Sequence, residues 1–205
     1  MTKDTGVAIH SDALLGKRVL LAIAGGIAAV ESVRLARELR RHQADLTVIM
    51  SEEATKIITP LAVSWGSDTI VYQGWSSEMS QLEAFDAILI APATRNTISK
   101  HLHGIMDSPL LMALSASRGR KSKLCFVPSM HTDLFDDPVT SELLDALRDE
   151  GSHVIINEVD EGKLKQPDPI SIVAEFCHIA NLSLIHISEP TRQEAISYAV
   201  FCLKK

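Results

Sequence analysis

Val19-Leu20-Leu21-Ala22-Ile23-Ala24-Gly25-Gly26-Ile27-Ala28 and Asp86-Ala87-Ile88-Leu89-Ile90-Ala91-Pro92-Ala93-Thr94-Arg95-Asn96-Thr97 are two versions of one pattern. Each begins with a short apolar run, Val19 to Ile23 and Asp86 to Ile90, of the kind that forms a buried parallel strand. Each continues through a loop into a helix-like segment. In an open parallel α/β sheet, loops at the carboxyl ends of strands line the ligand crevice, and helix N-termini there bind anions. One loop is glycine-rich and the other is rich in hydroxyl and amide groups. Together they point to a phosphorylated planar ligand.

The alternation extends outward from these two stretches. Lys17 to Ile23 reads as a strand and Ile27 to Arg41 as a helix. Ala28, Leu35, Ala36 and Leu39 share one face of that helix, with Glu31, Arg34, Glu38 and Arg41 on another. Asp45–Met50, Thr69–Tyr72, Asp86–Ala91, Lys123–Val127 and His153–Ile156 read as further strands. Asp136 and Asp137 offer N-cap oxygens and Pro138 suits a first turn. Val139, Leu143, Ala146 and Leu147 recur at helical spacing, and Gly151 supplies the stop. Ile170 to Ile179 reads as a last helix. Strands alternating with helices predict an α/β fold with a doubly wound parallel sheet.

Of the 205 residues 46% are hydrophobic, enough for a single-domain core. A net charge of −6 without a basic block argues against a nucleic-acid surface. Met1 to Leu14 has no basic start followed by an apolar run, so it does not read as a signal peptide. No run is long and apolar enough to suggest a membrane partner. Cys125, Cys177 and Cys202 show no metal or disulfide spacing, and a reducing, cytoplasmic setting is expected.

The last residues change character. Leu182 to Arg192 resembles the translation of a transposase-type sequencing adapter, and Ile196 to Leu203 resembles the far end of one. Gln193 to Ala195 falls where a variable index would sit, and Lys204-Lys205 reads as a run of A. The expected division is therefore residues 1–15 as an N-terminal extension, 16–181 as one domain and 182–205 as a non-native tail. Native sequence is expected to stop near Asn181, so His186, Tyr198 and Cys202 carry no functional argument.

Several ligand classes can be weighed on the residues. The nicotinamide-dinucleotide fingerprint needs a third glycine, but Ile27, Ala28 and Ala29 follow Gly25-Gly26. Glu52 could still mimic its ribose-binding acid, which keeps a nicotinamide-dependent oxidoreductase as an alternative. A P-loop is excluded because no Gly-Lys-Ser/Thr follows. His101 and His103 lie two apart, on different sides of a helix and without carboxylate or cysteine company. They read as surface or interface histidines, and no metal ligand is assigned. Met106, Met112 and Met130 read as core filler, and only Met130 has a motif around it.

Gly25-Gly26-Ile27-Ala28-Ala29, Met50-Ser51-Glu52-Glu53-Ala54-Thr55, Ala91 to Lys100 and Pro128-Ser129-Met130-His131 occur in order and at suitable spacing. Jointly they resemble the homo-oligomeric flavin-containing cysteine decarboxylases. The type with P-x-M-H, the archaeal style of phosphopantothenoylcysteine decarboxylase, is the nearest. Asp160-Glu161-Gly162-Lys163-Leu164-Lys165 resembles the E-E-G-K-A-K segment of that type. The resemblance implies a Rossmann/flavodoxin-like domain binding FMN at a subunit interface of a trimer, or of a dodecamer of trimers. It implies Gly25, Gly26 and Ile27 at the phosphate and ribityl chain, Ser51 as a hydroxyl donor, and Ala93, Thr94 and Asn96 against the flavin or its phosphate. Met130 and His131 would lie on the substrate side, with Lys163 and Lys165 binding substrate.

The implied activity is FMN-dependent decarboxylation of 4'-phosphopantothenoylcysteine, a small-molecule thiol, in coenzyme A synthesis. The thiol is oxidised, the resulting thioaldehyde loses CO2, and the enethiol is reduced. A fused CTP-dependent synthetase is the partner domain that many such proteins carry. Two departures bear on this. Relatives carry a histidine in an H-I-E-L-type segment before the Asp86 strand, and Met79 falls at about that place; a thioether can neither exchange a proton nor hold a carboxylate. Gly26 stands where serine is frequent, which removes one donor but leaves backbone N–H groups. A flavoprotein of the same family with a different or lost activity is the main alternative.

Overall fold

The computed structural model describes residues 6–182, apart from 76, 78, 158, 161 and 162. The tail expected to be non-native, beyond residue 182, lies outside the described residues. Strand β1 (Arg18–Ile23) is buried in all but its first residue, and β4 (Ala87–Ala93) is buried throughout. They pair in parallel from Val19↔Ala87 to Ala22↔Ile90. With β2 (Asp45–Met50), β3 (Val71–Tyr72), β5 (Lys123–Pro128) and β7 (His153–Val154) they form one parallel sheet, in the order β3-β2-β1-β4-β5-β7. The doubly wound α/β expectation is met.

Period-two alternation divides the core in two. Val19, Leu21 and Ile23 join one apolar cluster with Leu35, Ala36 and Leu39 of α1 (Ser32–Arg41) and Ile172, Val173 and Phe176 of α8 (Pro169–Asn181). Leu20 and Ala22 join the other, with Ile98 of α4 (Arg95–Leu102), Leu111 and Leu114 of α5 (Pro109–Gly119) and Leu143 and Leu147 of α7 (Pro138–Asp149). Helices cover both faces, so nearly continuous apolar strands are required. Two short helices, α2 (Glu52–Thr55) and α6 (Thr132–Phe135), follow β2 and β6 (Met130–His131), and α3 (Pro60–Ser67) precedes β3. Strands β8 (Val159–Asp160) and β9 (Lys163–Leu164) join β6 in a small antiparallel sheet. No helix among the described residues is long and apolar enough to cross a membrane.

Local chemistry sets the helix ends. Asp137 caps α7 by accepting the Val139 N–H at 3.0 Å, Pro138 takes the first turn, and Gly151 follows at φ +89°. The expected helix from Ile27 instead opens as a 3-10 turn over Ile27–Glu31, with α1 starting at Ser32. Gly26 has no side chain to cap that end, and the Ala29 N–H closes a tight bond to Gly26 O at 2.8 Å. The strand expected over 153–156 is regular only at His153–Val154, although the Ile155 N–H still reaches Phe126 O at 2.9 Å.

Three side chains depart from their expected settings. Glu38, expected on a solvent face, is 3% exposed. The segment before β1 lies across the end of α1, with the His10 N–H on Arg41 O, and Arg41 pairs with the Glu38 carboxylate at 2.5 Å. Met106, expected in the core, is exposed on the loop before α5. His101, expected at the surface, is fully buried against Phe126 and donates from Nε2 to Glu150 Oε1 at 2.9 Å.

Glu150 also accepts from Ser152 Oγ and Arg118 Nη1. Burial alone would push its carboxyl up, but these bonds from His101, Ser152 and Arg118 outweigh it and hold the group at about 2. Because the folded value lies below the ordinary 4.5, its stabilisation is complete above that pH and is lost as pH falls toward 2. Glu150→Gln should cost about 2 kcal/mol at neutral pH. It should also flatten the decline in stability between those two pH values, as read by urea unfolding across a pH series.

Candidate functional site: a cleft at the sheet's switch point

From β1 the chain winds outward through β2 to β3, then returns to β4 on the other side of β1. The loops after β1 and β4 therefore part company at one point of the carboxyl edge, where open α/β sheets hold ligands. The Ala24 N–H donates to Pro92 O at 3.2 Å, joining the two loops at their base. A Cβ on Gly26 would sit 3.5 Å from Pro92 Cγ and Thr94 Cγ2, so the loops face each other there. The Ala91–Pro92 peptide is cis, and the β4–β5 register shifts between Ile90 and Ala93.

A cleft of about 460 Å³ opens above this junction. Gly25, Ser51, Thr94 and Asn96, four of the residues singled out in the sequence, line it together with Thr97. Ser51 accepts the Ala54 N–H at 3.2 Å, and Thr94 caps α4 by accepting the Thr97 N–H at 3.3 Å. The other cofactor candidates stand back from it. Ala93 is buried in β4, Gly26 is half-buried against Pro92 and Thr94, and Ile27 is 76% exposed beside the rim.

Sequence reasoning missed two walls, Gln73-Gly74-Trp75 after β3 and Asp107-Ser108-Pro109 before α5. Ser108-Pro109 carries the same cap-then-proline signal as Asp137-Pro138, and Ser108 Oγ accepts the Leu111 N–H. The charged side chains of the lining are mostly acidic: Glu52, Glu53 and Asp107 against Lys100, which pairs with Asp107 at 2.6 Å. Affinity for an anion must come from backbone N–H groups at the starts of α4 and α5 and from hydroxyls.

The substrate-side candidates form a second group on the same carboxyl edge. Ala93 pairs with Pro128, and the Ser129 N–H donates to Ala93 O at 3.3 Å, so the Met130–His131 segment starts beside the cleft loop. Strand β6 then pairs with β9, setting His131 opposite Lys163 and Met130 opposite Leu164. Lys165 follows β9 and is half-buried. Met130 is half-buried, and His131 is 55% exposed on its side chain. His131 Nδ1 lies 3.3 Å from the Asp133 backbone nitrogen and 3.1 Å from Asp133 Oδ2. Met79 is not in the cleft lining; it is exposed at φ +55° and its sulfur accepts from Gln81 Nε2 at 3.5 Å. A methionine in that backbone region is unusual and strained.

The two glycines make different demands. A Cβ on Gly25 would lie 2.3 Å from Glu53 Cβ and 3.0 Å from its backbone carbon, so α2 can approach only a glycine. On Gly26 it would meet only ordinary contacts, at φ −109° and ψ 155°. Gly25→Ala should cost about 2 kcal/mol. Gly26→Ala should stay within about 0.5 kcal/mol of the parent, with thermal unfolding of both variants as the check.

A family model described as Flavoprotein matches residues 7–181. The "Coenzyme A biosynthesis bifunctional protein CoaBC" of Thermococcus kodakarensis is 38% identical over 165 residues, which cover 77% of this chain and 41% of that protein. Its counterpart in Methanocaldococcus jannaschii is 34% identical over 159 residues, covering 76% and 39%. The chain thus spans about two fifths of the length of these relatives. Among solved structures, the FMN-dependent cysteine decarboxylase SpaF superposes with a TM-score of 0.70 at 21% identity, over 82% of this chain and 99% of that one. A PPC decarboxylase mutant complexed with pantothenoylaminoethenethiol gives 0.67 at 21%, over 79% and 98%. At such identities these likenesses show a common fold. Sequence match and architecture agree, and the chain belongs to the Flavoprotein family.

Proposed function

We propose that this chain is an FMN-binding domain that decarboxylates 4'-phosphopantothenoylcysteine to 4'-phosphopantetheine in coenzyme A synthesis. The observation that carries the reading is the cleft between Gly25 and the Thr94–Thr97 turn, at the point where the sheet reverses. It has the polarity FMN needs. The side-chain-free Gly25 allows a close backbone approach, and two helix starts and the Ser51 and Thr94 hydroxyls suit a phosphate. Trp75 and Leu110 offer apolar wall for a flat ring. The relatives named for coenzyme A biosynthesis and the PPC decarboxylase among the superposed structures support the reading.

FMN, when bound, supplies the two-electron oxidation and return that make loss of CO2 from the thiol substrate feasible. The chain's own part is to hold and orient. Gly25, Gly26, Ile27, Ser51, Ala93, Thr94 and Asn96 form or support the cofactor end. His131 is suited to donate a ring N–H to the substrate carboxylate. Met130 belongs to the same substrate-side segment, and Lys163 and Lys165 supply charge for an anionic substrate. Met79 leaves the histidine of other family members unreplaced, which favours a second reading in which flavin is bound and turnover is weak or lost.

The reading extends to assembly. Ile27 and Val30 are exposed apolar residues beside the cleft loop, which fits a cofactor site completed by another copy in a trimer or dodecamer. We take residues 1–15 as an N-terminal extension, 16–181 as the FMN domain and 182–205 as the adapter-derived tail. A CTP-dependent synthetase is the proposed fused partner, in keeping with the bifunctional relatives, and the cytoplasm is the proposed setting.

Purified protein should be yellow and release FMN on denaturation; bound nicotinamide dinucleotide in its place would overturn the assignment. Incubation with 4'-phosphopantothenoylcysteine should yield a product lighter by CO2 in mass spectrometry. FMN retention without product would establish the second reading. Met79→His should raise turnover about tenfold or more if that position serves general acid–base chemistry, and an unchanged rate would remove it from the site.

A further inference from the structure

Arg95 is the one residue of the Thr94–Thr97 turn that does not line the cleft. It is the first residue of α4, where a cation opposes the helix dipole. Its Nη1 lies 2.6 Å from Asp137 Oδ2, and the two side chains are only 26% and 35% exposed. Asp137 is also the N-cap of α7, and the Val139 N–H and the Arg95 guanidinium hold its carboxyl below the usual carboxylate range. Helices α4 and α7 are thus joined at both ends, by Arg95–Asp137 at their starts and by His101–Glu150 at their finishes.

Between the Thr94 turn and Asp137 runs the segment that carries Met130 and His131. Its start is fixed by the Ser129 N–H on Ala93 O, and its end by Asp137 on Arg95. Besides the β6–β9 pairing and the Thr140 hydroxyl on Leu134 O, these two anchors lie on the residues flanking Thr94. We infer that Arg95 is a positioning residue, which by holding Asp137 sets the 129–137 segment, and His131 within it, against the cleft loop. The inference rests on the decarboxylase reading only for its kinetic consequence.

The test compares Arg95→Met, which keeps the apolar stem, with Arg95→Lys and Asp137→Asn, each in the full chain. In Arg95→Met and Asp137→Asn, amide hydrogen exchange over 129–137 should rise about fivefold or more while α8 is unchanged. Arg95→Lys should restore most of the protection. FMN retention should stay within about twofold of the parent, and kcat/KM for 4'-phosphopantothenoylcysteine should fall about tenfold. Arg95→Met should add nothing to His131→Ala in a double-mutant cycle. Unchanged exchange over 129–137, loss of FMN from Arg95→Met, or additive effects with His131→Ala would each overturn the inference. Should the parent itself show no turnover, the decarboxylase reading fails, and the exchange comparison still decides whether Arg95 holds the segment.

Discussion

The parallel pairing of β1 with β4 is the constraint on which the rest of the molecule depends. Both strands are buried on both faces, so each must be apolar at successive positions and cannot slip without breaking every ladder bond. That register carries Ala24 to Pro92 and hence brings the glycine turn to the hydroxyl-rich turn. The crevice above them follows from connectivity: the chain leaves β1 toward β2 and re-enters at β4 on the other side of β1.

Backbone N–H groups, more than side-chain charge, suit the crevice to an anion. Glu52, Glu53 and Asp107 would repel a phosphate, and Lys100 is occupied by Asp107. The starts of α4 and α5 supply N–H groups with fixed direction, held by the Thr94 and Ser108 caps. Hydroxyls that cap helices are thus also the polar lining of the cleft. Gly25 is essential here for a steric reason, since α2 approaches it so closely that a single carbon would collide with Glu53.

Polar contacts between elements then fix the helices around the sheet. Glu38 is drawn under the N-terminal segment and compensated by Arg41, with His42 and His10 within 4 Å. His101 and Arg118 converge on Glu150 and lock α4 and α5 to the end of α7. Buried charges are costly unless partnered, so these groups restrict how the helices can sit. The same logic at Arg95 and Asp137 reaches the edge of the functional site.

The strand series, the caps at Asp137 and Gly151 and the family motifs follow from local chemistry, and for that reason they are legible in the sequence. Alternating burial, a proline after an acidic cap and a glycine beyond a helix act within a few residues. The burial of Glu38 and His101 is not legible, because the segment at His10 that covers Glu38 and the Glu150 partner of His101 lie far away in sequence. The Gln73–Trp75 and Asp107–Pro109 walls escaped for the same reason: nothing near them in sequence says that they meet Gly25 and Thr94. Sequence by itself determined the strands of the main sheet, the start of α7 and which family the chain resembles. Only the tertiary structure decided that Ser51, Thr94, Asn96 and Gly25 share a cleft while Ala93 and Ile27 do not. Membership of a site depends on sheet order and on which way each side chain leaves its strand, and both are set by long-range pairing.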